Sequence, residues 1–482
     1  MVANSPTIAD LLRSDPAHRG RCQVHDEAWV FDYSHWPLST DARQGLIDGF
    51  LAHDPHAAID ALFAGQHVNR SEDQPALHMR LRSPDVDETH GQRRAFLTLA
   101  DRLFSGASGF TDWIHIGIGG SDLGPRLVAD ALDEGQSQVT VHWLSTVDGR
   151  RLNRLLSRLN PDTTGVVIAS KSFGTEETLA MAERVKAWLG ARFRQHAWAA
   201  TASPDKAQAF GVSPQNVLVF PPWTGGRFSL WSSVGVSAAA LIGSEAFEAL
   251  LAGAHRADLG YQHHHRPNDQ NLAVWVALIV HHLRRDLGLT TLGVIAYEPR
   301  LALLGEYCQQ LFMESLGKAV GVDGAPVDAP TVPLIYGGRG TDLQHSIFQA
   351  LHQGLDTHPL ILVGAVRDSS GDVELDHIQL AHLLAQRQAM GFGRADGAAH
   401  QHLPGNRPVA LLLTDALTPE GLGFLLASLE HAVFTLSILW GVNAFDQWGV
   451  EEGKRLAKPL RERLDQSNPD LATLLEWDLD HH

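Results

Sequence analysis

The segment SKSFGTEETL concentrates hydroxyl side chains between an apolar run and a helix-like stretch. Ser170, Ser172 and Thr175 offer neutral donors, and the N–H groups of a helix start add donors with a positive dipole. These groups suit the oxygens of a phosphate ester, and Lys171 either adds charge or is solvated. Ordinary caps, with Glu177 closing a capping box, would explain one or two of the hydroxyls but not the whole cluster. The pattern favours a phosphate site.

A second glycine-rich stretch, IHIGIGGSDLGPRL, repeats the same arrangement of strand, turn and helix start. Gly117, Gly119 and Gly120 let the backbone approach a ligand closely, and Ser121 precedes a predicted helix. A dinucleotide fingerprint is the rival interpretation, but its G-x-G-x-x-G spacing differs. A tight turn capped by Ser121 explains the stretch equally well. A Walker-type loop is disfavoured because G-x-x-x-x-G-K-[ST] is absent.

Two further stretches carry a cation and a carboxylate. Arg227 follows two glycines in TGGRFSLWSSVG, which predicts a loop that brings a fixed cation to a ligand, although most arginines are solvated or ion-paired. In EYCQQLFMESLGK, the spacing of Glu306, Gln310 and Glu314 places them on one helical face. Apolar neighbours of Glu314 are expected to remove it partly from water, which suits a general base, whereas a solvent-facing glutamate is the ordinary alternative.

Two late stretches hold candidates for proton exchange. His345 in GGRGTDLQHSIFQALHQG lies where a glycine-rich loop is predicted to give way to a helix. In NAFDQWGVEEGKRLAK, which also contains Gln447, aromatic residues are expected to pin the segment, so that Lys454 points inward; a solvated helix start is the alternative. The histidine-rich YQHHHRP and VHHLRR lack the spacing of a zinc site, so we predict no metal.

Composition limits the classes of partner. The 482 residues are 44% hydrophobic, and 38 basic against 55 acidic residues leave a formal charge of -17, which opposes binding to nucleic acid. Cys22 and Cys308 are too few for a disulfide framework and fit a reducing compartment, the cytoplasm. Neither a signal peptide nor a run of eighteen apolar residues is present, so no membrane association is expected.

The elements that must position these residues alternate along the chain. Eight short apolar runs recur between helix-like stretches, in two groups at 113–220 and 292–413. They are WIHIGI, VTVHWL, GVVIAS, NVLVF, GVIAY, PLIY, PLILVG and VALLL. This alternation predicts an α/β fold with mainly parallel sheets covered by helices. The groups are separated by NLAVWVALIVHHLRRDLG, whose apolar spacing predicts a buried helix. They could be remote copies of one unit, which the sequence leaves open.

The ends of the chain are predicted to be helical. Residues 1–100 form a predicted helical arm, and KRLAKPLRERLDQSNPDLATLLEW predicts a helix, a break and a second helix. We therefore expect the arm at 1–100, α/β domains at 101–265 and 266–455, and a helical tail at 456–482.

Taken together, these stretches resemble the glucose-6-phosphate isomerase family. The resemblance begins at QHVNRSEDQPALHMRLR and continues in order through IGIGGSDLGP, SKSFGTEET, GGRFS, MESLGK, GTDLQHS and GNRP to FDQWGVEEGK. Departures from the family pattern occur at Pro222, at Thr224 and in the 338–343 loop. The resemblance implies two sugar-isomerase αβα domains in a homodimer and reversible conversion of glucose 6-phosphate to fructose 6-phosphate without metal or cofactor.

The resemblance also implies a role for each matching residue. The implied phosphate cradle is Gly120, Ser121, Ser170, Lys171, Ser172 and Thr175. Glu314 would carry the proton between C1 and C2, and Arg227 would stabilise the enediolate. His345, from the neighbouring subunit, and Lys454 would assist ring opening. The sugar would be lined by Glu177, Gln310 and Gln447.

Two other functions stay open at this point. The same fold could serve a mannose-phosphate or another aldose–ketose isomerase, because nothing in one sequence reports the C2 hydroxyl geometry. A non-catalytic sugar-phosphate sensor would need only the cradle. The presence together of Glu314, His345, Arg227 and Lys454 argues against the sensor.

Overall fold

The computed structural model describes residues 6–84, 87–265, 270–367, 371–467, 469–471 and 473–474. The chain divides into two compact units, Met1–Ala444 and Phe445–His482. The strands are β1 Gln23–Asp26, β2 Trp29–His35, β3 Asp112–Ile116, β4 Thr140–Leu144, β5 Thr164–Ala169, β6 Ala197–Thr201, β7 Val217–Val219, β8 Thr291–Ala296, β9 Leu334–Arg339, β10 Leu360–Arg367 and β11 Val409–Ala416.

Helices surround these strands. In the first half they are α1 Ile8–Ser14, α2 His18–Arg21, α3 Thr40–Ala52, α4 Pro55–Phe63, α5 Asp87–Phe104, α6 Leu123–Leu132, α7 Gly149–Leu156, α8 Glu176–Leu189, α9 Phe193–His196, α10 Pro204–Phe210, α11 Val236–Ile242 and α12 Ser244–His263. They continue as α13 Leu272–His281, α14 Leu304–Leu316, α15 Gly340–Gln344, α16 Phe348–Gln353, α17 Val373–Phe392, α18 Pro419–Trp440 and α19 Glu451–Ser467. The fold is mixed α/β with mainly parallel sheets, as predicted.

The first sheet has the order β4-β3-β5-β6-β7, and all of its pairs are parallel. The chain leaves β3 for β4 on one side and then returns to β5 on the other side. A crevice therefore opens at the carboxyl ends of β3 and β5, which is where open α/β sheets bind ligands. The two predicted phosphate-binding stretches follow these two strands directly.

The second sheet has the order β1-β2-β11-β10-β8-β9. Its parallel part, β9-β8-β10-β11, has the same strand order as β4-β3-β5-β6 in the first sheet. The antiparallel hairpin β1–β2 extends it through β11. The described parallel parts thus share one topology, a relation that the sequence left open.

The structure corrects the prediction for residues 1–100, which are not purely helical. They contain β1 and β2, which belong to the second sheet and whose aromatic residues Trp29 and Phe31 are fully buried. The strand β6 was also missed, because AWAAT is alanine-rich and lacks β-branched residues until Thr201. Each of the eight predicted strand runs overlaps an observed strand and is confirmed.

Long apolar helices form the layer beside the sheets. The predicted buried helix is confirmed as α13, which ends in a π-helical turn at His282–Asp286. Among the described residues, α18 is long and apolar enough to cross a membrane, but 94% of that apolar window is buried inside the protein. Gly253 of α12 and Gly423 of α18 leave no room for a Cβ, so these two helices pack backbone to backbone.

The second unit contains α19, and most of the predicted second C-terminal helix lies outside the described residues. The predicted domain boundary at 265/266 adjoins residues 266–269, which also lie outside them. The unit boundary follows Ala444, whereas the predicted tail begins at 456.

Candidate active site

The loop after β5 brings hydroxyl side chains together. The Oγ of Ser170 lies 3.3 Å from Oγ1 of Thr175, and Ser170 is buried. Thr175 is the N-cap residue of α8, yet its side chain makes no capping hydrogen bond. The capping alternative therefore does not describe this loop. The hydroxyls of Ser170 and Thr175 face one another at the start of α8.

The backbone of the same loop is fixed by the buried side chain of Phe173 and by hydrogen bonds to the Lys171 carbonyl. Phe173 has a φ of 44° and is buried in the first-sheet core, where it packs edge-on against Phe210. The carbonyl of Lys171 accepts hydrogen bonds from the Thr201 hydroxyl and the Ala202 N–H, both at 3.0 Å. These contacts fix the backbone of the loop.

Lys171 adds positive charge near this loop. Burial lowers the pKa of its ammonium group; the carboxylate of Glu72 opposes this shift, and the positive charge of Arg227 adds to it. The interaction with Arg227 places the two cations within electrostatic reach. An anion bound between them would relieve their repulsion.

The loop after β3 is held by a buried histidine. His115 Nε2 lies 2.7 Å from the Ser121 carbonyl, and Nδ1 lies 2.8 Å from the Ser237 hydroxyl. Burial lowers the pKa of His115 to about 4, so its imidazole is neutral at pH 7. A carbonyl only accepts, so Nε2 carries the proton and Nδ1 accepts from Ser237. Ser121 itself lies within a 3₁₀ turn. The N-cap residue of α6 is Asp122, so the predicted capping by Ser121 is wrong.

Gly120 brings this loop against the one that carries Arg227. A Cβ at Gly120 would lie 2.5 Å from the Arg227 nitrogen and closer still to the Gly226 carbonyl. The Ser229 hydroxyl lies 3.3 Å from the Gly120 carbonyl and 2.7 Å from that of Gly226. Only glycine permits this approach. The predicted glycine-rich loops are thus in direct contact.

Arg227 is buried, and each part of its guanidinium group has a partner. Nε donates to the Ser315 hydroxyl at 2.6 Å, and Nη2 donates to the Ala444 carbonyl at 2.6 Å. Nη1 lies 3.5 Å from Oε1 of Glu314. The side chain of Arg227 is 2% exposed and that of Glu314 is 24% exposed. A fixed cation therefore faces a carboxylate that can still reach a ligand.

Glu314 projects from the last turn of α14, next to Gln310. The Gln310 amide donates to Oε2 of Glu314 at 2.9 Å, as their spacing of four residues predicts. Leu311 and Phe312 are buried, so the expected partial removal of Glu314 from water is confirmed. Glu306, at the other end of the predicted row, is exposed and lies 4.0 Å from Arg126.

His345 lies between α15 and α16. The sequence places it where a glycine-rich loop gives way to a helix. A helix does follow, because α16 begins at Phe348, but the predicted glycine-rich loop is wrong. Gly337 and Gly338 belong to β9, and His345 is the C-cap residue of α15. A Cβ at Gly337 would meet the Val294 carbonyl of β8 and the Gly305 Cα of α14, so only a residue without a side chain fits at this place in the strand. The His345 side chain is exposed, and no hydrogen bond joins it to Glu314 within the described residues.

The remaining predicted residues divide between the two units. Ser172 is exposed beside Gly174, and Glu177 is exposed in the first turn of α8. Gln447 and Lys454 belong to the second unit, in which the Lys454 ammonium group donates to Glu451 at 2.7 Å. The Lys454 side chain is 59% exposed, so the expected inward orientation is wrong and the solvated helix start describes it. The roles of these residues stay predictions.

Three supporting residues were missed by the sequence analysis. Ser315 and Ala444 hold the guanidinium group of Arg227, and His115 holds the loop before Ser121. Ser315 could have been suspected from its position directly after Glu314. No local signal marks Ala444, because its contribution is a backbone carbonyl.

The histidines of VHHLRR accept hydrogen bonds from tryptophans that are distant in sequence. His281 accepts from Trp440 Nε1 at 3.0 Å, and His282 accepts from Trp36 Nε1 at 3.1 Å. Within the part of the chain that the structure describes, no group of three or more histidine, cysteine or acidic residues is arranged to hold a metal ion.

Comparison with known proteins gives consistent results. The family model described as phosphoglucose isomerase matches residues 32–473. A glucose-6-phosphate isomerase of Stenotrophomonas maltophilia is 42% identical over 97% of this chain and 94% of its own length. One from Xanthomonas campestris is 44% identical over 96% and 93%.

Two solved structures have a fold similar to that of this chain. The crystal structure of a glucose-6-phosphate isomerase from Chlamydia trachomatis superposes with a TM-score of 0.89 at 27% identity, covering 98% of this chain and 96% of that one. A hypothetical protein of Thermus thermophilus superposes with a TM-score of 0.66, also at 27% identity, over 89% of this chain and 99% of its own.

Proposed function

The chain belongs to the phosphoglucose isomerase family and interconverts glucose 6-phosphate and fructose 6-phosphate, and we propose that Glu314 is the base of this reaction. The contact between Glu314 and the buried Arg227 carries the proposal. In the open-chain sugar, Glu314 removes the proton from C2 and returns it to C1, while the proton of the O2 hydroxyl passes to O1, so that the aldehyde becomes the ketone. Arg227 stabilises the enediolate charge that forms in between.

Electrostatic stabilisation accounts for the need for a buried cation. A single preorganised donor aimed at a developing oxyanion contributes about 3 kcal/mol to lowering a barrier. Arg227 fits this role because Ser315 and the Ala444 carbonyl fix its orientation before the charge develops. Little reorganisation is then needed when the enediolate forms.

The phosphate group serves orientation. The proposed cradle combines Ser121 with the loop Ser170–Thr175, both at the carboxyl ends of neighbouring strands. Ser170 and Thr175 supply the facing hydroxyls, and Lys171 supplies charge. Gripping the distant phosphate holds C1 and C2 against Glu314, so remote binding energy is used for alignment.

Ring opening precedes the proton transfer. The anomeric hydroxyl must lose a proton while the ring oxygen gains one, a task that suits a histidine and a lysine. We assign this step to His345 and Lys454, with His345 supplied by the second subunit of a homodimer. The exposed position of His345 on its own subunit supports a role across an interface. Glu177, Gln310 and Gln447 are proposed to contact the sugar.

The proposal also covers location and cofactors. Every proposed step is a proton transfer, which side chains perform without a metal or cofactor. A cytoplasmic protein is proposed because its substrates are intracellular sugar phosphates, and the buried free thiols of Cys22 and Cys308 fit a reducing compartment.

Glu314→Gln tests the central step, because the amide keeps the shape of the side chain but cannot accept the proton. We expect sugar-phosphate affinity to stay within a few-fold of the wild type, while hydrogen exchange at C2 with solvent deuterium stops. A parallel assay with mannose 6-phosphate measures substrate range. Exchange at the wild-type rate in this variant would remove Glu314 from its role.

Mixing inactive subunits tests the shared site. Glu314→Gln and His345→Ala proteins are each expected to be inactive, whereas a mixed dimer contains one site with both native residues. Activity should therefore recover partly after subunit exchange. Two differently tagged subunits that co-purify without any recovery would contradict the shared site.

A further inference from the structure

A group of fully buried charges lies behind the loop that carries Arg227, and the proposed reaction uses none of them. The guanidinium group of Arg82 donates to both oxygens of Asp258, through Nε at 2.8 Å and through Nη2. Its Nη1 donates to Oε2 of Glu430. His431 Nε2 lies 2.8 Å from Asp258. One arginine therefore bridges two carboxylates, and each of these four residues is at most 2% exposed.

This charge cluster contacts the Arg227 loop through Trp231. Oε1 of Glu430 accepts a hydrogen bond from the Trp231 indole at 2.8 Å. The guanidinium group of Arg82 lies 4.8 Å from the centre of the same ring. Trp231 is 1% exposed, so the indole has little freedom to turn. The cluster thus holds the chain four residues beyond Arg227.

A second contact reaches the residue next to Arg227. The ring of His78 stacks on Phe228 with a centroid distance of 4.6 Å, and His78 Nε2 lies 3.8 Å from Oε2 of Glu430. Burial and the nearby Arg82 keep the pKa of His78 well below its usual value, so the ring is neutral. Trp231 therefore contacts Glu430 directly, and Phe228 contacts it through His78.

Stability alone does not account for so much buried charge. Removing a carboxylate and a guanidinium group from water costs several kcal/mol for each ion, and a packed apolar replacement is often as stable. Burial raises the pKa of Glu430 to about 7 although the charge of Arg82 opposes this shift, so keeping this carboxylate ionised is costly. Such clusters specify one geometry more than they stabilise a fold.

We propose that Glu430 and Arg82 are positioning residues that hold the Arg227 loop in the orientation required to stabilise the enediolate. The inference rests on the role proposed for Arg227. Ser315 and Ala444 fix the tip of Arg227, whereas this cluster fixes the backbone from which its side chain extends. Neither Glu430 nor Arg82 contacts the substrate in this scheme.

Glu430→Gln is the test, because one oxygen that accepts from Arg82 or Trp231 becomes an NH2 group that repels those donors. We expect kcat to fall 10- to 100-fold, while KM and the Kd for inorganic phosphate stay within twofold. Asp32→Asn is the matched control. Asp32 is also a buried carboxylate that accepts from a buried arginine, Arg387 at 2.7 Å, but it lies on β2 and does not contact the loop.

The control separates positioning from stability. Urea unfolding measures the stability loss of both variants. A fall in kcat confined to Glu430→Gln supports the proposal, and a wild-type kcat in folded Glu430→Gln overturns it. An equal fall in Asp32→Asn overturns it as well. If Glu430→Gln does not fold, Trp231→Phe removes only the indole donor, and a kcat reduced 3- to 10-fold is expected; an unchanged kcat refutes the idea.

Arg227→Lys distinguishes failure of this inference from failure of the proposed function. If Arg227→Lys keeps its kcat, the role of Arg227 is wrong, and the inference falls with it. If Arg227→Lys loses activity, we expect Glu430→Gln to cost less than twofold further in that background, because the residues act through one another. Independent, multiplying losses would overturn the positioning role alone.

Discussion

Replacing Gly120 with alanine tests the contact on which the geometry of the site depends. The added Cβ would lie 2.5 Å from the Arg227 nitrogen and closer to the Gly226 carbonyl, whereas ordinary contacts begin at 3.4 Å. Both atoms belong to backbone, so no side-chain rotation can relieve the overlap. One of the two loops must move by about 1 Å, the scale of misplacement that lowers a rate about 100-fold.

The expected result is a loss of turnover larger than the loss of stability. Overpacking of this kind costs about 1–3 kcal/mol in the free energy of unfolding, which leaves a protein of this size folded. We therefore expect kcat for fructose 6-phosphate to fall about 100-fold in a protein whose circular dichroism matches the wild type. The assay is a coupled measurement of glucose 6-phosphate formation.

Gly226→Ala is the matched control, because it lies in the opposing loop and its Cβ would meet nothing within 4 Å. Its kcat is expected to stay within twofold of the wild type. The reasoning is refuted if Gly120→Ala keeps the wild-type kcat, or if Gly226→Ala loses as much activity. Either result would mean that the contact between these loops does not position Arg227.

Three further predictions concern single contacts. Ser315→Ala removes the acceptor of Arg227 Nε, so kcat should fall about 10-fold with little change in KM; equal changes in both would contradict it. Ser170→Ala removes a hydroxyl of the cradle, and we expect KM and the Kd for phosphate to rise about 10-fold; unchanged phosphate binding would place the cradle elsewhere. Burial lowers the pKa of His115 to about 4 from 6.5, so the unfolded chain binds more protons between these values. The free energy of unfolding should then fall as pH falls, by at most about 1.4 kcal/mol per pH unit from this residue. Urea unfolding at pH 7.5 and 5.5 should show that the free energy of unfolding changes less with pH in His115→Gln than in the wild type. An identical change in both proteins would exclude this contribution.

The fold class was predictable because its signals are local. A parallel strand buried on both faces is a continuous apolar run, and eight such runs were visible in the sequence. The hairpin β1–β2 and the alanine-rich β6 lacked that signal. They are strands because neighbouring strands complete their backbone hydrogen bonds, a condition that no local pattern records.

The predicted site was only partly predictable for the same reason. Gln310 and Glu314 meet because four residues bring the chain round one helical turn. The glycines before Arg227 and the hydroxyl residues after β5 are also local signals, so both loops could be predicted from the sequence. His345 was expected after a glycine-rich loop because glycines usually signal loops, yet Gly337 and Gly338 lie in β9, where a Cβ at Gly337 would not fit.

By itself, the sequence determined which residue types are available and which neighbours along the chain share a face, because helix and strand periods act over a few residues. Only the tertiary structure decided that Gly120 touches the Arg227 loop and that Arg227 meets Glu314. It also decided that a buried charge cluster contacts the Arg227 loop through Trp231. These pairs are distant in sequence, and strand order and helix packing bring them together. Their contacts depend on the closure of the whole fold, which no local pattern encodes.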